Sequence, residues 1–133
     1  MIRSKIGLCL LIVFFTGASP IMLSDGVCNG VNKGIQNGNA QQVFKYFSST
    51  VNLSVLGKDA YVSKAQATSI LADFFKENPP KSYVVKQGGS NSENTKFVIG
   101  TYVSTNGTTF KIYYVIKKEK DKDSIQKLTI EKK

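Results

Sequence analysis

The sequence predicts an α+β domain in which helices collect on one face of a twisted antiparallel sheet. An amphipathic helical pattern covers residues 64–78, and four β-rich segments follow one another from residue 81 to the C-terminus. Both the helix and the segments carry an apolar face. Because each buried Phe or Ile contributes roughly 1.5 to 3 kcal/mol, the two faces are expected to pack together.

Residues 1–19 are predicted to be a cleaved signal peptide, and residues 20–133 to form one domain. MIRSK supplies a cationic start, IGLCLLIVFF an apolar run and TGAS a tail of small residues. The run is shorter than the ~20 apolar residues that cross a bilayer, so no stable membrane span is expected after cleavage. Neither Cys9 nor Cys28 follows a small residue at the cleavage point, so no lipid anchor is expected. The predicted location is the periplasm or the cell exterior.

The charge of the mature chain does not indicate nucleic acid as a partner. Cleavage removes Arg3 and Lys5, and the basic residues that remain are all lysines, which lack the planar fork of arginine. The run KKEKDKD at 117–123 alternates in sign and is typical of a solvated hairpin tip. Attraction to an anionic ligand or membrane surface is the alternative interpretation.

The mature chain begins with a segment that only weakly favours a helix, GVCNGVNKGIQNGNA. Glycines recur in it, and glycine in a helix interior costs about 1 kcal/mol relative to alanine. Val27, Val31 and Ile35 nevertheless share one stripe, so Cys28 is expected to be a buried thiol. Cleavage removes Cys9, so no internal disulfide is expected.

Two helices and a strand are predicted next. Asn39 is placed to cap the helix AQQVFKYFSS, and VNLSVLG alternates as a strand does. Ser63, with Gln66 three residues later, forms the capping box of a second helix. The apolar stripe of this second helix consists of Ala67, Ile70, Leu71, Phe74 and Phe75.

The C-terminal strands are KSYVVKQG, KFVIGTYVST, TTFKIYYVIKK and SIQKLTIEK. Asn106-Gly107 between the middle two indicates a hairpin with a two-residue turn. That turn sets Ile99 opposite Tyr114 and sorts the side chains into two faces. The predicted inner face holds Phe97, Ile99, Thr101, Val103, Phe110, Ile112, Tyr114 and Ile116; the predicted outer face carries Val98, Tyr102, Tyr113 and Val115.

Two long segments carry a resemblance to a known family. YFSSTVNLSVLGKDAYVSKAQATSILADFFKENPPKSYVVKQGG and FVIGTYVSTNGTTFKIYYVIKKEK resemble small secreted proteins of Bacteroidetes known only as a domain of unknown function. The order of elements resembles the nuclear transport factor two-like (cystatin-like) fold. The resemblance covers nearly all of the mature chain. It implies helices packed on the concave face of a curved sheet and an envelope or extracellular setting, and it implies no activity.

The residue types in this sequence give little support for a catalytic function. The fold that this sequence resembles is also that of ketosteroid isomerases and polyketide cyclases, which use a carboxylate or a histidine inside the cone. This sequence has no histidine. Asp73 is the one acid beside the helix stripe, and a solvated aspartate on the helix surface is the simpler interpretation. No catalytic residue, cofactor or metal is therefore assigned, since the single cysteine expected in the mature chain, without histidines, cannot form a zinc or copper site.

The leading hypothesis is an exported, non-catalytic binding module. One version binds a small apolar molecule in the cone, where the pocket candidates are Phe44, Phe47, Phe74, Ile99, Thr101, Ile112 and Tyr114. The other binds a protein partner, including a second copy of the chain, through Val98, Tyr102, Tyr113 and Val115. A filled core is the alternative to the pocket. An enzyme of the ketosteroid isomerase type using Asp73 or Tyr114, and a structural envelope protein, are the alternative functions.

Overall fold

A computed structural model describes residues 26–92 and 94–133, which form three helices and six strands. The predicted signal peptide lies outside the described residues. In chain order the elements are α1 (Gly26–Asn37), α2 (Ala40–Phe44), β1 (Phe47–Val55), β2 (Lys58–Ser63), α3 (Lys64–Glu77), β3 (Pro80–Ser92), β4 (Thr95–Ser104), β5 (Thr109–Glu119) and β6 (Lys122–Lys132).

The six strands form one curved sheet in the order β2-β1-β6-β5-β4-β3. All neighbours are antiparallel except β1 and β6, which run parallel. The α+β class is confirmed. Strand β2 was not predicted because its residues are almost all exposed, so they show no alternation of apolar and polar side chains.

Both predicted helix caps are present. The Asn39 side chain accepts hydrogen bonds from the backbone N–H groups of Gln41 and Gln42 at 3.0 and 3.2 Å. Ser63 and Gln66 form the capping box at the start of α3. These side chains satisfy backbone donors that the first turn of a helix leaves without partners, which explains where each helix begins.

The first helix is better formed than the sequence predicts. α1 runs over twelve residues with Cys28, Val31 and Ile35 buried. A side chain at Gly34 would lie 2.8 Å from the Val43 side chain, so this glycine lets α2 pack directly against the α1 backbone. Tertiary packing therefore offsets the low helix propensity of the segment.

The predicted register of the β4–β5 hairpin is wrong by one residue. Ile99 lies opposite Tyr113, Val98 opposite Tyr114 and Tyr102 opposite Phe110. A two-residue type I′ turn needs positive φ at both loop residues, but Gly107 has a φ of 91° and Asn106 is not among the residues with positive φ. The loop has three residues instead, with Gly107 in the left-handed region.

Hydrogen bonds within the three-residue loop, and one to the chain just after α3, hold the loop in place. Ser104 N–H donates to the Thr108 carbonyl at 2.9 Å, and Gly107 N–H donates to the Ser104 carbonyl at 3.0 Å. The Asn106 side chain accepts from Thr108 N–H at 3.1 Å. Thr105 N–H donates to the Pro79 carbonyl at 2.8 Å, which ties the loop to the chain just after α3.

The change of register reverses the faces of β4 and leaves those of β5 as predicted. Phe110, Ile112, Tyr114 and Ile116 are buried on the inner face. The inner face of β4, however, presents Val98, Gly100, Tyr102 and Ser104, all of which are buried. Phe97, Ile99, Thr101 and Val103 lie on the outer face and are partly exposed, so their predicted inner position is wrong.

The helices pack on the inner face through an aromatic cluster. The Phe74 ring lies 5.0 Å from the Phe110 ring and 5.5 Å from the Tyr102 ring. Phe75 stacks on Tyr102 with 6.1 Å between the ring centroids, and it lies 5.9 Å from Phe74. The predicted meeting of the α3 stripe with the sheet is confirmed, except for Ile70, which is 37% exposed.

Candidate functional site

The interior between the helices and the sheet is filled by side chains. Tyr102 and Tyr114 are fully buried, and Phe47, Phe74 and Phe110 are each only 3% exposed. All five belong to one continuous cluster of buried residues that joins α1, α2 and α3 to the sheet. The site predicted inside the cone therefore coincides with the packed core.

Three polar side chains form a hydrogen-bonded group beneath α1. The Tyr114 hydroxyl donates to Asn32 Oδ1 at 2.8 Å, and the Tyr83 hydroxyl reaches the same oxygen at 3.5 Å. The Tyr114 hydroxyl also lies 3.4 Å from the Cys28 carbonyl oxygen. The Tyr114 hydroxyl therefore makes a structural hydrogen bond to Asn32 inside the protein.

Burial keeps two of the inner tyrosines protonated. It raises the pKa of Tyr83 well above its ordinary range, and the Cys28 side chain adds a smaller effect in the same direction. Burial also raises the pKa of Tyr102, whose hydroxyl donates to the Asn78 carbonyl at 2.5 Å. Phenols in such surroundings favour the neutral form, so both are hydrogen-bond donors at neutral pH.

The seven predicted pocket residues fall in three places. Phe47, Phe74, Ile112 and Tyr114 lie in the core. Phe44 is half-buried at the edge of α2, where the Lys64 ammonium lies 4.7 Å from its ring centroid. Ile99 and Thr101 face the opposite side of the sheet, because the register differs from the predicted one.

The four predicted interface residues divide evenly between the faces. Tyr113 and Val115 lie on the outer face as predicted. Val98 and Tyr102 are 1% and 0% exposed on the inner face, so their predicted outer position is wrong. The Tyr83 ring covers Gly100 on the inner face, since a side chain on Gly100 would lie 2.4 Å from that ring.

The corrected register creates an apolar surface on the outer face, which we call the outer patch. Its members are Val84, Phe97, Ile99, Val103, Tyr113 and Val115. The Phe97 and Tyr113 rings lie 6.5 Å apart, and the Lys127 ammonium lies 5.9 Å from the Tyr113 ring centroid. Sequence reasoning missed Phe97, Ile99 and Val103 because a one-residue shift moves alternate side chains of β4 to the other face, and it assigned no face to Val84 on β3.

Asp73 lines a pocket of about 360 Å³ between α3 and the β1–β2 hairpin. The carboxylate is exposed, as the simpler interpretation of the sequence held. Phe74 is the one predicted pocket residue that also lines this space. Sequence reasoning missed the pocket because one wall belongs to β2, the strand that the sequence does not reveal.

Neither a metal cluster nor a membrane-crossing helix is found in residues 26–92 and 94–133. No three His, Cys, Asp or Glu side chains of that part gather closely enough to hold a metal ion. None of its helices combines the length and the apolarity that a transmembrane passage requires.

The fold is shared with proteins of distant sequence. A solved structure of an NTF2-like protein of unknown function from Shewanella baltica has a TM-score of 0.62 at 12% identity, covering 80% of this chain and 88% of that chain. A cystatin-like domain of unknown function from Nostoc punctiforme gives 0.61 at 12% identity, covering 80% and 73%. The predicted nuclear transport factor two-like fold is confirmed.

Closer relatives identify the family. A DUF4783 family protein from Bacteroides ovatus is 32% identical, with a TM-score of 0.74, and the match covers 78% of this chain and 93% of that chain. No curated protein matches the sequence significantly. The family described as a domain of unknown function, DUF4783, matches residues 28–131. The chain therefore belongs to the DUF4783 family.

Proposed function

We propose that this chain is an exported, non-catalytic binding module that associates with protein through its outer patch. The partner that we propose is a second copy of the chain. The outer patch is the single observation that carries the proposal. In α+β domains with helices on one side, the other face of the sheet is normally polar. Here six apolar side chains share that face.

The geometry of the outer patch suits protein contact. Val84 is 51% exposed, and the other members are partly exposed between strands. Ile99 pairs with Tyr113, and Phe97 pairs with Val115, so the apolar side chains form a continuous strip across β4 and β5. Aromatic-rich apolar surfaces with a charged rim are typical of association sites.

Charged side chains border the strip. Lys127 lies beside Tyr113, and Lys111 pairs with Glu131 at 3.5 Å in an exposed salt bridge. Exposed ion pairs contribute only ~0 to 1 kcal/mol, so they can exchange partners at little cost when another surface approaches. A two-fold related copy would place its own lysines and Glu131 near this rim.

The inner side chains favour binding over catalysis. The Tyr114 hydroxyl, a candidate for the enzyme alternative, donates to Asn32. No Asp or Glu is among the buried side chains of the described residues, so no carboxylate in this part occupies an apolar interior. A general base of the ketosteroid isomerase type requires such a carboxylate or a histidine.

Sedimentation velocity across a concentration series tests the proposal. We expect the wild-type chain, residues 20–133, to form a dimer and Tyr113→Asp to remain monomeric with an unchanged circular dichroism spectrum. Tyr61→Asp is the matched control, because Tyr61 is 77% exposed on the edge strand β2, outside the patch. A wild-type monomer at the highest soluble concentration, or a dimeric Tyr113→Asp, would overturn it.

A further inference from the structure

The pocket between α3 and the β1–β2 hairpin lies on the other side of the sheet from the outer patch. Its volume of about 360 Å³ is within the range of small-molecule sites, roughly 300 to 1,000 Å³. Leu53 and Phe74 are 2% and 3% exposed and form the floor. The remaining lining residues are Val55, Leu56, Lys58, Ala60, Ile70, Asp73 and Glu77.

Two exposed apolar side chains face each other at this pocket. The large hydrophobic residues exposed in the described part are Leu56, Tyr61, Ile70 and Val84. Leu56 and Ile70, at 49% and 37% exposed, are both among the residues that line the pocket, one on each side. A ligand with an apolar body would cover both of them and the floor beneath.

Leu56 is held in a backbone conformation that leucine rarely adopts. Its φ is 51°, and Gly57 follows with a φ of 89°, so the two residues form the turn between β1 and β2. Asparagine suits the first position of such a turn far better than leucine. The leucine therefore strains the turn while it places an apolar side chain on the pocket wall.

The charged groups on the rim favour a cation. Asp73 and Glu77 lie one helical turn apart on α3, and Lys58 lies on the hairpin side. Neither carboxylate has a lysine partner within 4.0 Å among the described residues. The rim thus has a net charge of about −1, whereas the whole chain has a formal charge of +9.

We propose that this pocket binds a small organic cation with an apolar body, of the alkylammonium class. The body contacts Leu53, Leu56 and Phe74, and the ammonium group lies near Asp73 and Glu77. Apolar contact supplies the affinity, and the two carboxylates supply the preference for a cation over a neutral molecule or an anion. The inference does not depend on the outer patch.

Three probes with the same alkyl chain test the proposal: octylammonium and octanoate, each below its critical micelle concentration, and octanol below its solubility limit. Titrations are followed by amide chemical shifts in NMR spectra. We expect octylammonium to bind about threefold to tenfold more tightly than octanol, and octanoate more weakly than both. The shifts should cluster at residues 53–60 and 70–77. Equal or tighter binding of octanoate, or shifts centred elsewhere, would overturn it.

Neutralising the rim tests the role of charge. Asp73→Asn combined with Glu77→Gln should bind octylammonium and octanol equally, with octanol affinity unchanged. Asp121→Asn combined with Asp123→Asn makes the same change in net charge at the β5–β6 hairpin tip and should keep the wild-type preference. A rim variant that keeps the preference, or a tip variant that loses it, would contradict the assignment.

A third variant separates binding from folding. Leu56→Asn gives the β1–β2 turn a residue that tolerates positive φ, so it should raise the urea midpoint. The same change removes part of the apolar wall and should weaken all three probes by about tenfold. A more stable protein that binds less well cannot be explained by unfolding. Unchanged affinity in Leu56→Asn would overturn the proposed site.

Discussion

The Phe74 ring meets the Phe110 ring edge-on, with 5.0 Å between their centroids and an angle of 80° between their planes. This contact joins the middle of α3 to the inner face of β5. Tyr102 lies beside both rings, 5.5 Å from Phe74 and 6.1 Å from Phe110. The three rings fill the space between α3 and the inner face of the sheet.

Replacing Phe74 by alanine should remove the centre of this cluster. We expect Phe74→Ala to lower the free energy of unfolding by about 3 to 5 kcal/mol, because a buried ring is lost and a cavity remains. Ile70→Ala is the matched control on the same helix. Ile70 is 37% exposed, so its loss should cost about 1 kcal/mol or less in the same urea titration. Equal costs would show that Phe74 is not buried in solution.

The three-residue loop between β4 and β5 can be tested at Gly107. A side chain on Gly107 or on Gly26 would meet no atom within 4 Å, but only Gly107 has a positive φ, of 91°. Gly107→Ala should therefore destabilise the chain by about 1 kcal/mol or more, through backbone strain alone. Gly26→Ala should be neutral or stabilising. A neutral Gly107→Ala in thermal unfolding would count against the loop conformation.

Gly100 has no room for a side chain because of Tyr83. Gly100→Ala should cost about 1 to 3 kcal/mol, since the new methyl group would overlap the Tyr83 ring. The penalty should shrink in a Tyr83→Ala background and stay the same in a Tyr113→Ala background. This double-mutant cycle, measured by chemical denaturation, identifies which tyrosine covers the glycine. Coupling to Tyr113 instead would restore the register predicted from the sequence.

Alkaline pH should destabilise the fold through Tyr83 and Tyr102. Burial raises the pKa of both hydroxyls, so the folded state keeps protons that the unfolded state loses near pH ~10. The stabilisation is complete below that pH and is lost as the pH rises toward the folded pKa. Urea titrations from pH ~8 to ~11 should show this decline, which Tyr102→Phe should reduce. Tyrosinate absorbance showing all six tyrosines ionising together in the native state would contradict it.

Most elements could be predicted from the sequence because their signals are local. The Asn39 cap and the box formed by Ser63 and Gln66 lie within four residues of the helix starts that they define. The C-terminal strands are long runs of β-branched and aromatic residues. The fold class followed because only one arrangement buries both apolar faces.

The register of the central hairpin could not be read in the same way. Phe97, Ile99 and Val103 alternate with Val98 and Tyr102, so both faces of β4 are apolar and hydrophobicity does not choose between them. Asn-Gly suits a two-residue turn with positive φ at both positions, but among the described residues that conformation occurs at Leu56-Gly57 and at Lys120-Asp121. The conformation of the β4–β5 loop is set by contacts with the end of α3, which is distant in sequence.

The candidate sites depended on that register and on β2, which explains why they were predicted only in part. Tyr113 and Val115 were placed correctly because the faces of β5 do not change with the register. Ile99 and Tyr102 exchanged faces. The pocket beside Asp73 needs a strand whose exposed residues show no pattern, so only the tertiary structure reveals it.

Which side chains of β4 lie on each face of the sheet determines the membership of the outer patch. Nuclear Overhauser effects in solution measure this orientation of β4 most directly. We predict cross-peaks between the ring protons of Phe74 and Tyr102, together with contacts between the Ile99 methyl groups and the Tyr113 ring. Cross-peaks from the Ile99 methyl groups to Phe74, with Tyr102 in contact with Lys111 on the outer surface, would contradict the account.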